Sequence, residues 1–200
     1  VVYNGIKSKK LQYQQSFERL SKEFSITRDH SILLYVGSGF KRKGVKEFLQ
    51  IISMLEKFNI IAFVIGKEKN ISYYQNFAKE LKINNQVVFT GPREDVDDFY
   101  TVSDIFIFPT HYEPFSNVVL EAMNFENAVF TTRQNGASEI VDDYFIMDRP
   151  EDFSIVERVN DLLNNQAKLQ KIKHENRVKS KQFSIENNLS ETLKIINEVT

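Results

Sequence analysis

Cysteine is absent from the 200 residues, and so is tryptophan. The first absence excludes disulfides, thiolate nucleophiles and cysteine-ligated metal centres. Net charge is scarce as well: 26 Lys and Arg against 27 Asp and Glu leave a formal charge of −1. A nucleic-acid partner is therefore not expected, because a phosphate-binding footprint usually makes a domain clearly basic. No apolar run is long enough to span a bilayer, and no secretory or transit segment is read at the start. Internal repeats and low-complexity linkers are missing too. What remains is 42% hydrophobic, enough for a substantial core. A soluble domain in the reducing cytoplasm is the expectation.

The apolar residues fall in short, nearly continuous runs: Ser31 to Gly37, Ile60 to Gly66, Gln86 to Thr90, Asp104 to Phe108 and Ala128 to Thr131. Such runs suit strands buried on both faces. Amphipathic stretches lie between them, at Val45 to Phe58, Ile71 to Leu81, Val96 to Val102 and Asn117 to Phe125. Phe48, Ile51, Ile52 and Leu55 share one side of the first. A helix-like stretch reaches about Phe24, and the charged tail from Glu151 to Val199 reads as helical. Strand–helix alternation at this pitch predicts an α/β fold, a doubly wound, Rossmann-like parallel sheet with helices on both faces. In such sheets ligands sit beyond the carboxyl ends of the strands.

Two of those ends carry chemistry. After the first strand, Gly37-Ser38-Gly39-Phe40-Lys41-Arg42-Lys43-Gly44 joins backbone N–H donors to three consecutive cations, which suits a phosphate. It fits neither the dinucleotide fingerprint nor the P-loop, since a third glycine and a Lys-Ser/Thr pair are lacking. A solvated basic turn is the plain alternative. After the Asp104–Phe108 run, Pro109 to Met123 places Glu113 in a loop, with Ser116 or Asn117 as helix N-cap. Glu121 interrupts an otherwise apolar helix. Carboxylates suit sugar hydroxyls and a helix N-terminus suits a diphosphate. Two solvent-facing glutamates beside an ordinary cap are the bland reading.

These segments resemble glycosyltransferase family 4. Glu113 and Glu121, with seven residues between them, resemble its Glu-x7-Glu signature, and Pro109 to Met123 matches the surrounding motif nearly residue by residue. The Lys43-Gly44 loop is similar to the family's phosphate loop. Gly91 with Asp98, Tyr100, Ser103 and Asp104 resembles its stretch before the penultimate strands, Gly136 to Val141 its small-residue turn followed by Glu-Ile-Val, and Asn4-Gly5-Ile6 its hinge into the second domain. The resemblance implies the C-terminal, donor-binding half of a GT-B enzyme. Residues 1–25 would then be hinge segment and lead-in helix, 26–200 the nucleotide-sugar domain, with the N-terminal acceptor domain outside this chain. It implies retaining transfer of a hexose from an NDP-sugar, a UDP-sugar first among them, with no required metal or cofactor. By position, Lys43 contacts the diphosphate, Glu113 the hexose and Glu121 the ribose. Gly39 and the backbone N–H groups of Ser116, Asn117 and Val118 face the phosphates.

Some residues depart from that pattern. Ser38 stands where arginine is common, and Arg42 supplies the charge, a variant that resembles lipopolysaccharide-core glucosyltransferases. Glu126 stands where glycine is usual, Ala128 where proline is, and Ser116 replaces a common glycine. Arg93 is a candidate for the nucleotide, and His111 for the donor sugar or water. His30 and His174 read as surface residues. Glu139 reads as a helix first-turn acid, and Lys171, Lys173, Arg177, Lys179 and Lys181 as a solvated face, or more weakly a membrane-surface patch. The implied partners are a nucleotide-sugar and a glycan or lipid-linked saccharide. Cell-envelope polysaccharide synthesis, at the inner face of the membrane, is the implied setting. A non-catalytic nucleotide- or sugar-binding module of the same fold is the alternative.

Overall fold

A computed structural model describes residues 2–56 and 59–199. Six parallel strands form one sheet: β1 (Ser31–Val36), β2 (Ile60–Ile65), β3 (Val87–Gly91), β4 (Ile105–Phe108), β5 (Ala128–Thr132) and β6 (Ile146–Met147). Their spatial order is β3-β2-β1-β4-β5-β6. The chain winds outward from β1 in one direction, then returns to its other side at β4. The switch point, where a crevice opens at the carboxyl ends, therefore lies between β1 and β4. Leu33 pairs with Ile105 and Leu34 with Phe106 across it.

The strands are buried because helices cover both faces. These are α1 (Tyr13–Phe24), α2 (Val45–Met54), α3 (Ile71–Glu80), α4 (Val96–Val102), α5 (Asn117–Asn124), α6 (Ile155–Asn164), α7 (Gln166–Ser180) and α8 (Ile185–Val199). All four residues of β4 are buried, as continuous hydrophobicity requires of a central parallel strand. Phe48, Ile51 and Ile52 of α2 bury the side the periodicity selected. That helix ends at Met54, and Phe58, the far end of the expected stretch, lies outside the described residues. Phe63 packs edge-on against Phe24 and Phe99, with centroids 5.1 and 5.0 Å away. Fully burying such side chains is worth roughly 1.5–3 kcal/mol each. Phe17 and Leu20 of α1 join the same core.

Three details depart from expectation. β6 is a strand of two residues that composition does not mark. The basic run of α7 is not one solvated face: Lys173 and Arg177 turn inward, Lys173 donating to Ser103 O and Asp104 Oδ1 at 3.1 Å and Arg177 to Asn124 O at 2.6 Å. Among the other residues singled out, His174 is exposed, while the His30 ring accepts from Thr27 N at 2.9 Å. Glu139 lies in a 3₁₀ turn, Gly136–Ile140, and accepts from the Tyr3 hydroxyl at 2.9 Å. Finally, Glu126 takes φ 59 in the turn before β5, the left-handed conformation that glycine adopts without strain. Among the described residues no helix is long and apolar enough to cross a membrane.

Candidate nucleotide-sugar site

The loops after β1 and β4 meet at the switch point. Gly44 makes their approach possible: at φ 76, a Cβ there would lie 1.8 Å from Pro109 O, so only glycine fits. The His111 N–H donates to Arg42 O at 3.0 Å, tying the two loops together. Behind them lies an aromatic floor in which Phe108 packs 5.6 Å from Tyr35. Lys43 Nζ sits 5.5 Å above the Phe108 ring. The Tyr35 hydroxyl is buried there without a hydrogen-bond partner among the described residues, and burial raises its pKa well above the phenol value.

Glu113 stands at the centre. Arg42 Nη1 donates to its Oε2 at 3.1 Å and also to Tyr112 O at 2.6 Å. Lys43 Nζ lies 3.4 Å from the same Oε2, with both side chains less than a fifth exposed. Two cations thus share one carboxylate, leaving a local surplus of positive charge. The backbone fixes the carboxylate's place. Glu113 N donates to Gln134 O at 3.1 Å, and Gly136 N donates to Glu113 O at 2.9 Å. A Cβ at Gly136 would lie 1.9 Å from Pro114 O. Asn135 is fully buried and donates to Thr131 Oγ1 at 3.0 Å, holding this second loop. Sequence reasoning did not find that support, because pairing between distant loops leaves no local pattern.

The N-terminus of α5 follows. Ser116 is the buried N-cap, and its side chain makes no capping bond. The first N–H groups of a helix lack intrahelical acceptors, so those of Asn117 and Val118 are available to an anion. Asn117 Oδ1 accepts from Asn4 Nδ2 at 2.9 Å. Glu121 lies one turn on, half-buried, and accepts from the Tyr100 hydroxyl at 3.2 Å. Burial raises its carboxyl pKa, and the Tyr100 bond pulls it part of the way back.

Other expected members fall as follows. Gly39 has φ 76 and open space where a Cβ would stand, so it lies at the mouth of the loop. Ser38 accepts from Lys67 N at 2.9 Å, while Glu68 caps Phe40 N at 3.0 Å. Arg93 is directed elsewhere: its guanidinium donates to Glu23 and Asp95 at 2.7 to 2.9 Å and lies over the Phe24 and Phe99 rings. Its donors tie α1 to the β3–α4 loop. The His111 ring lies 3.4 Å from Glu47. Glu47, His111 and Glu151 bring possible ligand atoms within 4.8 Å of one another, the one such group among the described residues. Two of its members are exposed, and buried Glu47 already has His111 as partner.

The arrangement offers paired cations, free helix-terminal donors and two carboxylates along one crevice, a set that suits a diphosphate flanked by hydroxyl-bearing rings. The capsular polysaccharide biosynthesis glycosyltransferase CapM of Staphylococcus aureus is 30% identical over 87% of this chain and 47% of its own length. The lipopolysaccharide glucosyltransferase WaaG of Escherichia coli K12 is 29% identical over 66% of this chain and 36% of its own. This chain therefore spans about half the length of such relatives, or less. Anabaena HepE, solved in complex with UDP, superposes with a TM-score of 0.89 at 18% identity, over 99% of this chain and 57% of its own. The fold is that of the Rossmann-like half of GT-B glycosyltransferases. The profile of the group 1 glycosyl transferases matches residues 16–179, and with that span and this crevice the chain belongs to that family.

Proposed function

We propose that this chain is the donor-binding part of a retaining glycosyltransferase that moves a hexose from a nucleoside diphosphate sugar, a UDP-sugar first, onto a glycan or lipid-linked saccharide. The carrying observation is the shared Glu113 carboxylate, with Arg42 at 3.1 Å and Lys43 at 3.4 Å. Arg42 is the bonded partner and is anchored a second time on Tyr112 O. Lys43 is the looser contact, so its ammonium is the cation free to turn toward an incoming diphosphate.

In transfer, the bond from the sugar's anomeric carbon to the diphosphate oxygen breaks and its electron pair leaves with the diphosphate, while an acceptor hydroxyl oxygen bonds that carbon on the same face and gives its proton to the departing phosphate oxygen. Lys43, Arg42 and the N–H groups at the start of α5 meet that charge in preorganised positions. Glu113 accepts hydroxyls of the hexose and Glu121 those of the ribose. This cationic set takes the role a metal would otherwise fill, and no metal is required. UDP bound to HepE supports the choice of base, and CapM and WaaG support a setting in cell-envelope glycan synthesis. The acceptor is held by an N-terminal domain outside these residues, in the cytoplasm and at the membrane's inner face. The chain alone binds nucleotide and transfers negligibly.

The test is competitive titration of UDP-glucose and UDP on the Glu113→Gln protein. The reading expects UDP-glucose to weaken by roughly tenfold, the scale of one charged hydrogen bond, while UDP is not weakened, since Lys43 and Arg42 lose their carboxylate partner. Equal loss of both ligands would contradict a role for Glu113 at the sugar.

A further inference from the structure

Along α5, Asn117, Glu121 and Asn124 occupy one face and line a hollow of about 260 Å³ with Gly5, Lys9 and Asp97. Glu121 reaches this hollow from one side. On its other side stands Tyr100 of α4, which is 1% exposed. The Tyr100 ring is clamped, stacked on Phe125 with centroids 5.6 Å apart and planes at 14°, and 5.9 Å from Phe106. Its carbonyl accepts from Asn127 Nδ2 at 2.9 Å. Ring and backbone are thus both fixed, and the hydroxyl can point only where this packing sends it, to Glu121 Oε2 at 3.2 Å.

We infer that Tyr100 is a positioning residue for the nucleotide's ribose, its clamped hydroxyl holding Glu121 so that the carboxylate meets a cis-diol. The inference rests on Glu121 as the ribose ligand, proposed above. A phenol hydroxyl supplies one donor, whereas a carboxylate has about four acceptor sites. Tyr100 takes one of these on Oε2. Among the described residues no hydrogen bond reaches Oε1, so that oxygen and the remaining lone pair on Oε2 are left for two ribose hydroxyls. A glutamate on a helix otherwise rotates about three side-chain bonds, freedom it would have to lose on binding. Tyr100 removes much of that loss beforehand, which is how preorganisation raises affinity. Burial and the adjacent carboxylate push the Tyr100 pKa well above that of a free phenol, so the hydroxyl keeps the proton it donates to Glu121.

A merely structural tyrosine would affect every nucleotide alike. A positioning one affects only ligands that carry the diol. The experiment is calorimetric titration with the ribo and 2′-deoxy forms of UDP, GDP and ADP, on the wild-type, Tyr100→Phe and Glu121→Gln proteins. Wild type is expected to prefer the ribo form of its nucleotide by roughly tenfold. In Tyr100→Phe that preference should shrink to about twofold, through weaker binding of the ribo form alone, with the unfolding midpoint checked in parallel. Equal weakening of both forms, or an undiminished preference, overturns the inference. Preference lost in Glu121→Gln but kept in Tyr100→Phe removes the role of Tyr100 alone. Preference kept in both removes the ribose reading of Glu121, and binding of none of the six ligands removes the nucleotide reading itself. If Tyr100→Phe does not fold, Glu121→Asp, which draws the carboxylate back from the hydroxyl, should shrink the preference in the same way. An unchanged preference there overturns the inference.

Discussion

At the amino ends of β1 and β4, Lys173 donates to Asp104 Oδ1 and to the Ser103 carbonyl, while Asp104 Oδ2 accepts from Ile32 N at 3.0 Å. At the carboxyl ends of the same two strands, Lys43 and Arg42 crowd the one Oε2 of Glu113. Both places pair a lysine with a carboxylate under cover. In the first, one cation meets one anion, and each makes a further bond to a backbone group. In the second, two cations meet one anion beside unpaired helix donors. The balanced pair staples α7 to the sheet, and the unbalanced one has positive charge to spare, as the proposed function requires. Cavity size misleads here: the hollow at the amino ends, about 470 Å³, is larger than the one beside Glu121. Under the proposed function, charge balance is the better guide to which end binds.

Four substitutions can sharpen or break this contrast. Lys173→Met leaves Asp104 without its cation, and chemical denaturation should show a loss of about 2–4 kcal/mol. Nucleotide affinity in the folded variant should be untouched, and a binding defect there would dissolve the distinction. Lys43→Ala should do the reverse. Diphosphate affinity falls by roughly 10- to 100-fold in titration, the scale of a charged hydrogen bond, with stability nearly unchanged because Arg42 still pairs with Glu113 at 3.1 Å.

Smaller effects test the flanks. Glu126→Gly relieves a left-handed residue and gives up only the 3.6 Å contact with Arg177. The unfolding free energy should rise by up to about 1 kcal/mol, and a loss would mean the ion pair outweighs the backbone strain. Glu121→Gln speaks to pH. Because burial raises the Glu121 pKa in the folded state, its contribution to stability is complete below the unfolded carboxyl pKa and is lost as pH rises through the folded value. The glutamine variant should therefore melt higher than wild type near neutrality, and the difference should vanish in acid. A gap independent of pH would assign the effect to packing instead.

Much of the sheet was legible because central parallel strands must be apolar on both faces, and Ile60 to Ile65 or Ile105 to Phe108 can hardly be anything else. β6 was not, since two residues carry no period. α7 misled for a related reason: its inward side includes Leu169, Lys173 and Ser180, so no apolar stripe separates buried positions from wet ones. At the site, Lys43, Glu113 and Glu121 stand in contiguous motifs and could be named from them. Arg42 was offered as the replacement for the arginine that Ser38 displaces, and the structure brings it onto Glu113. The Gln134–Asn135–Gly136 support and the Tyr100–Glu121 bond join segments about twenty residues apart, and only the folded chain shows them. Arg93 sits at a strand end, yet its guanidinium serves Glu23 and Asp95, partners that local sequence could not rank above a ligand.

The most direct test of the account is calorimetric titration of the chain with UDP, GDP and ADP in the presence of a chelator, with the wild-type, Lys43→Ala and Lys173→Met proteins side by side. The account predicts saturable binding of one nucleotide without metal, weakened at least about tenfold in Lys43→Ala and retained in Lys173→Met. Affinity undiminished by the loss of Lys43, or binding abolished by the chelator, would contradict it.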